Sequence, residues 1–102
     1  MSANGSRGEA SLVIAGCARV LRPTFAALVA AEDELGPLFA LVERAAGGQL
    51  RLAELATLFW HCLAEREAIA RDEVGEAVLA AGLAACAPAL RSLLGQILQG
   101  RA

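Results

Sequence analysis

Glycine and proline punctuate this chain so closely that no long helix or large sheet can form. Pro23, Gly36-Pro37, Gly47-Gly48, Gly82 and Pro88 recur along its 102 residues. Glycine weakens a helix by backbone entropy, and proline removes a backbone donor and clashes with the preceding turn. The chain is therefore expected to fold as short helices joined by tight stops, in one domain.

The stretches between the breaks carry their own signals. Glu9 to Ile14 and Cys17 to Arg22 read as two strands about the Ala15-Gly16 turn, which predicts an N-terminal β-hairpin. A lone hairpin is marginal in water and must lie on other elements. Thr24 is placed to cap a first helix through Leu35, with Phe25, Leu28, Val29, Ala31 and Leu35 as its apolar stripe and Gly36 as its stop. Pro37 suits the first turn of a second helix, where Leu38, Leu41, Val42 and Ala45 share a face. A third is expected from Leu52 to about Glu67, with Leu52, Leu55, Phe59, Cys62 and Leu63 facing the core. Asp72 is placed to cap a fourth helix through Ala81, with Val74, Val78 and Leu79 inward. Pro88 opens a fifth, whose Leu90, Leu93, Leu94, Ile97 and Leu98 give the cleanest helical period in the chain. The expected fold is mainly α, an N-terminal β-hairpin packed on a bundle of four to five short helices. Residues 1–8 form a flexible tail, and 9–99 a single domain.

Residue types exclude several functions. There are 9 basic and 11 acidic residues, and every basic one is arginine. The arginines are scattered, without the basic stripe of a nucleic-acid module. This disfavours a helix-turn-helix regulator built on the third and fourth helices. No segment approaches the roughly 20 apolar residues of a membrane span. The first eleven residues lack the apolar core of a secretory signal. A cytoplasmic location, with neither nucleic acid nor membrane as partner, is the expectation. Cys17, Cys62 and Cys86 are odd in number and far apart, unlike a disulfide framework. His61-Cys62 has no second pair to complete a zinc site. No nucleophile elbow, phosphate loop or dinucleotide fingerprint occurs. With one histidine and neither tyrosine nor lysine, no catalytic residue, metal or cofactor is expected, so the chain reads as a non-enzymatic binder.

Two features point to a partner. Hydrophobic residues make up 57% of the chain, against roughly 45–50% in ordinary domains with glycine counted. Short helices have little room to bury Leu50, Leu52, Leu58, Trp60, Leu83, Leu93 and Leu98 together. Trp60 lies about 100° round the third helix from Phe59, at the edge of the stripe. It is the leading interface anchor, with Leu58 and Leu93 beside it as candidates. The second feature is Glu32-Asp33-Glu34, an acidic run at the negative end of the first helix dipole. It is either a solvated face or a spot for a basic partner, and Arg19 or Arg22 of the hairpin is placed to pair with Glu32.

The order of segments resembles a known family. A hairpin runs into Leu21-Arg22-Pro23-Thr24-Phe25-Ala26-Ala27-Leu28, then Glu32 and the Leu35-Gly36 stop. A helix opens at Leu50-Arg51-Leu52-Ala53-Glu54-Leu55-Ala56-Thr57-Leu58. Val74-Gly75-Glu76-Ala77-Val78-Leu79-Ala80-Ala81-Gly82-Leu83 follows, then a leucine-rich helix. This set, over roughly residues 7 to 99, is similar to the gene transfer agent family proteins found among phage tail genes. That family is grouped with tail assembly chaperones, and some members are labelled tail tube proteins. The sequence departs from the pattern around Trp60 to Glu67. The resemblance implies a chaperone that keeps the apolar tape measure protein soluble while tube subunits assemble. Its implied partners are that protein, the tube protein and further copies of itself; a structural component retained in the particle is the alternative.

Overall fold

The computed structural model describes residues 10–99; the polar tail expected over 1–8 lies outside them. Strands β1 (Ala10–Ile14) and β2 (Cys17–Leu21) pair antiparallel, with Ile14 opposite Cys17 and Ala10 opposite Leu21. The helices among these residues are α1 (Phe25–Leu35), α2 (Leu38–Ala46), α3 (Leu52–Cys62), α4 (Arg71–Ala81) and α5 (Leu83–Gln99), with a 3-10 turn at Arg66–Ala68. The fold is mainly α with an N-terminal hairpin.

Ala15 and Gly16 close the hairpin with φ of 52° and 82°. Two successive positive φ values are what a type I′ turn needs, because its twist matches that of the strands. Alanine resists this geometry, since its Cβ meets the following carbonyl oxygen. Ala15→Asn, whose side chain tolerates the left-handed region, is expected to stabilise the protein by about 0.5–1 kcal/mol. Urea melts of the two proteins check this.

The hairpin is held to the helices by backbone bonds. Leu21 pairs with Leu63 as an isolated bridge, the Arg22 N–H donates to the Cys62 carbonyl at 2.6 Å, and the Ala64 N–H to the Val20 carbonyl at 3.0 Å. The chain leaving α3 therefore acts as a one-residue third strand, which supplies the support a two-stranded sheet lacks.

Helix α3 is the core. Leu55 through Phe59, His61 and Cys62 are all buried, so it is enclosed nearly all round rather than along one stripe. Leu58 and Phe59 are fully buried. The expected stripe thus holds for Leu55, Phe59, Cys62 and Leu63. It fails for Leu52, which sits in the first turn and is exposed. The helix also ends at Cys62 rather than near Glu67, because the chain turns there to meet β2. Burial pushes the Cys62 thiol up to about 12 and raises that of Cys86. Both are small buried groups, whereas Cys17 is exposed at the hairpin turn.

Helix α1 keeps the expected stripe at Leu28, Ala31 and Leu35 and departs from it at Phe25 and Val29. Thr24 caps it as predicted, its Oγ1 accepting from the Ala27 N–H at 3.1 Å. The inward residues are Ala27 and Ala31, with Leu28 and Leu35 partly buried, whereas Phe25 is 85% exposed and Val29 also lies outside. Alanine at the contact lets α1 approach α3 closely, and the larger side chains turn outward. On α2, Leu41 is buried and Phe39 is 80% exposed.

Helix α4 is not capped by Asp72. The carboxylate of Glu73 instead reaches back to the Ala70 N–H at 2.8 Å, a capping arrangement of the third helical position. Val74 and Val78 face inward, but Leu79 is exposed. Gly82, with φ 89°, ends α4 as expected. The last helix starts directly afterwards at Leu83, and Pro88 lies inside it. Proline removes one bond there, to the Ala84 carbonyl. Ala84 and Pro88 are both exposed, so water can meet that carbonyl and the helix continues. Among the described residues no single helix is long and apolar enough to cross a membrane; α4 and α5 pass that test only together and are bent by 119°.

Candidate interaction surfaces

The residues expected to meet a partner go to different places. Leu58 and Leu93 are fully buried and cannot present a surface. Leu58 faces inward because α3 is enclosed on every side, and Leu93 anchors α5 against the core. The acidic run divides by helical geometry. Glu34 falls seven residues after Ala27, on the side of α1 that faces α3. Glu32 turns forward, its Oε2 accepting the Leu38 N–H at 3.1 Å, which caps α2. Asp33 is exposed. Arg19 of the hairpin pairs with Glu65, at 3.2 Å, rather than with Glu32.

Glu34 is the centre of a cluster drawn from four elements. The Arg71 guanidinium of α4 grips its carboxylate in a fork, at 2.8 and 3.0 Å. His61 Nε2 of α3 lies 3.0 Å from the same carboxylate, which places the proton on Nε2. Its Nδ1 is buried without a hydrogen-bond partner. Trp60 is half-buried, its Nε1–H donating to the Ile69 carbonyl at 2.8 Å. Arg71 stacks 4.5 Å from the Trp60 ring centroid and Arg66 lies at 5.9 Å. Trp60 is thus partly accessible, but its polar end and one face are committed to the fold. The proximity of Trp60 to two arginines was not visible in their spacing, because the 3-10 turn brings residue 66 back over α3.

Arg71, and then His61, hold the Glu34 carboxyl below the usual carboxylate range. A depressed folded value adds stability above the unfolded pKa, and that contribution disappears as pH falls through the folded value. Glu34→Gln is expected to flatten the loss of stability on acidification below about pH 4.5, the unfolded range of a glutamate. At neutral pH the change is small, about 1 kcal/mol or less, since the pair is partly solvated. Denaturant midpoints between neutral and acidic pH check both statements.

Two apolar grooves lie beside α3, and Arg71 of this cluster lines the first of them. One, of about 430 Å³, runs between α3 and α4, floored by Ala53, Ala56 and Gly75 and edged by Leu52 and Leu79. Another, of about 190 Å³, lies between α3 and α5, with Leu50, Leu83 and Leu90. Leu52 lines both. Leu79 and Leu83 are each 58% exposed, so this side carries leucines that the core does not absorb.

A different apolar surface includes two residues, Phe25 and Val29, that periodicity placed in the core. Phe25 and Val29 on α1, and Phe39 on α2, lie outside. Two of the chain's three phenylalanines are therefore in water. The signal available in the sequence was the alanine pair at 27 and 31, which fits the α3 contact better than the bulky stripe. Among the described residues no group of histidine, cysteine and carboxylate side chains is placed to hold a metal.

A family model described as phage tail tube protein, GTA-gp10, matches residues 7–100. That range includes the hairpin and all five helices, and it agrees with the resemblance carried by the order of segments. No curated protein and no solved structure matches the chain.

Proposed function

The chain belongs to the GTA-gp10 phage tail tube protein family, and on that premise we propose that it is a non-enzymatic tail assembly chaperone. It binds an apolar, helical partner of the tape measure kind in the cytoplasm and holds it soluble while the tail is built. The observation that carries this reading is the exposure of Phe25 and Phe39, at 85% and 80%. Aromatic side chains of this size are enriched where partners dock. The leucine-edged grooves beside α3 offer further surface to an amphipathic helix, a mode that reads apolar residues three and four apart. The tail tube protein is a second candidate partner, and self-association a third.

The family description favours one other reading, a structural component retained in the tail. Quantitative mass spectrometry of purified particles separates the two. An assembly chaperone is absent from, or far below stoichiometry in, the finished particle. Presence at the copy number of a tail ring or tube subunit would make the structural reading the right one.

A further inference from the structure

The two-stranded sheet leaves one edge open. In a hairpin closed by a two-residue loop, the flanking residues form a hydrogen-bonded pair, and bonded pairs recur at every second position. Ile14, Leu12 and Ala10 therefore direct their N–H and C=O groups to β2. Those of Ser11 and Val13 point the other way. Among the described residues no strand pairs with that edge and no backbone group bonds it. Ser11 and Val13 are both exposed, Val13 by 59%. Edge strands that avoid pairing usually carry a charge, a proline or a bulge. The β1 sequence Ala10-Ser11-Leu12-Val13-Ile14 has neither charge nor proline, and its register is unbroken.

A groove of about 460 Å³ lies at the turn end of this edge. Val13, Ile14 and the Ala15-Gly16 turn form one wall, and α4 forms the other. The α4 wall has small residues, Ala77 and Ala80, and three carboxylates, Asp72, Glu73 and Glu76. No arginine lines the groove. Glu73 accepts the Ala70 N–H. Asp72 and Glu76 stand one turn apart on α4, so they project together.

From the open edge, the groove and its charge, we infer that β1 accepts an extended, arginine- or lysine-bearing segment of a partner protein as an added strand. The segment runs along the open edge of β1 and passes Asp72 and Glu76 of α4 at the turn end. Its backbone pairs with the N–H and C=O groups of Ser11 and Val13, as in other strand-addition complexes. Alternate side chains reach opposite sides, so one set meets Asp72 and Glu76 and the other covers Val13. The alanines of α4 leave space for the added backbone. A helix satisfies its own backbone groups and would leave those of Ser11 and Val13 unpaired, so the edge selects an extended occupant. This surface differs from the outer faces of α1 and α2 used in the functional proposal, although Asp72 and Glu76 also line the groove between α3 and α4, and it stands whether or not the partner belongs to a phage tail.

The test uses the full chain and a short synthetic peptide in which arginine alternates with valine. Amide exchange followed by NMR is expected to slow at Ser11 and Val13 when the peptide is added. The same peptide, N-methylated at the residues whose N–H groups face β1, is expected not to bind. Asp72→Lys with Glu76→Lys is expected to weaken binding by at least about tenfold, because both rim charges are reversed. Val13→Pro removes an outward N–H without touching the ladder to β2, and it is expected to abolish binding while the far-ultraviolet dichroism stays unchanged. If that variant does not fold, the methylated peptide on the unaltered protein carries the same comparison. Binding that leaves the Ser11 and Val13 amides unaffected overturns the inference. So does equal binding of the methylated peptide, or no binding at peptide concentrations of about 1 mM, where even contacts worth only about 4 kcal/mol register.

Discussion

Phe59→Ala is expected to lower the stability of the protein by about 3–5 kcal/mol, the range of large aromatic truncations in cores. Phe59 is fully buried on the central helix, among Leu21, Leu41, Leu58 and Val74, which are equally inaccessible. The hairpin, α1 and α4 all pack against this region, so a cavity there loosens every layer at once. A domain of this size has only about 5–15 kcal/mol to lose, and the variant should sit close to its unfolding threshold at growth temperature. Urea denaturation gives the value directly. Trp60→Ala is the informative neighbour. Trp60 is half-buried and bonds the Ile69 carbonyl, so its removal costs stability as well, about 1–3 kcal/mol for the lost bond and packing. The sequence alone assigned Trp60 mainly to a partner; its hydrogen bond and its stacking with Arg71 assign it largely to the fold. A Phe59 variant as stable as the parent would place the core elsewhere.

Phe25→Ser together with Phe39→Ser is expected to leave the fold almost unchanged and to remove partner binding. Each side chain is at least 80% exposed, and exposed substitutions usually move stability by no more than about 0.5 kcal/mol. A truncated aromatic anchor at an interface costs about 2 kcal/mol or more, so loss of both should weaken a complex by several hundred-fold if the two act independently, at about 1.4 kcal/mol per factor of ten. Paired melting and pull-down measurements on the double variant check this. A double variant that melts early but binds normally would mean that these rings stabilise the chain and do not contact the partner.

Much of the architecture was legible because it rests on local chemistry. The Ala15-Gly16 turn, the Thr24 cap and the stops at Gly36, Gly47-Gly48 and Gly82 each follow from backbone geometry within a few residues. The faces of the helices were less legible. Apolar period identifies a stripe only when one side of a helix is buried. Helix α3 is enclosed on all sides, so Leu58 went inward despite lying off the stripe. Helix α1 meets α3 through Ala27 and Ala31; Ala31 lay in the expected stripe, but Ala27 is too small to stand out beside Phe25 and Val29, which turn outward. Pro88 read as a helix start because its cost depends on whether the Ala84 carbonyl can reach water, a tertiary fact. The Glu34, His61 and Arg71 cluster joins residues far apart in sequence, and only the packing of α1, α3 and α4 brings them together.

The most direct test of the functional account is co-expression of the chain with a phage tape measure protein, with soluble tape measure protein as the readout. The account predicts that the tape measure protein is insoluble alone, becomes soluble with this chain, and co-purifies with it as a complex. Unchanged solubility, with no complex recovered, would contradict it.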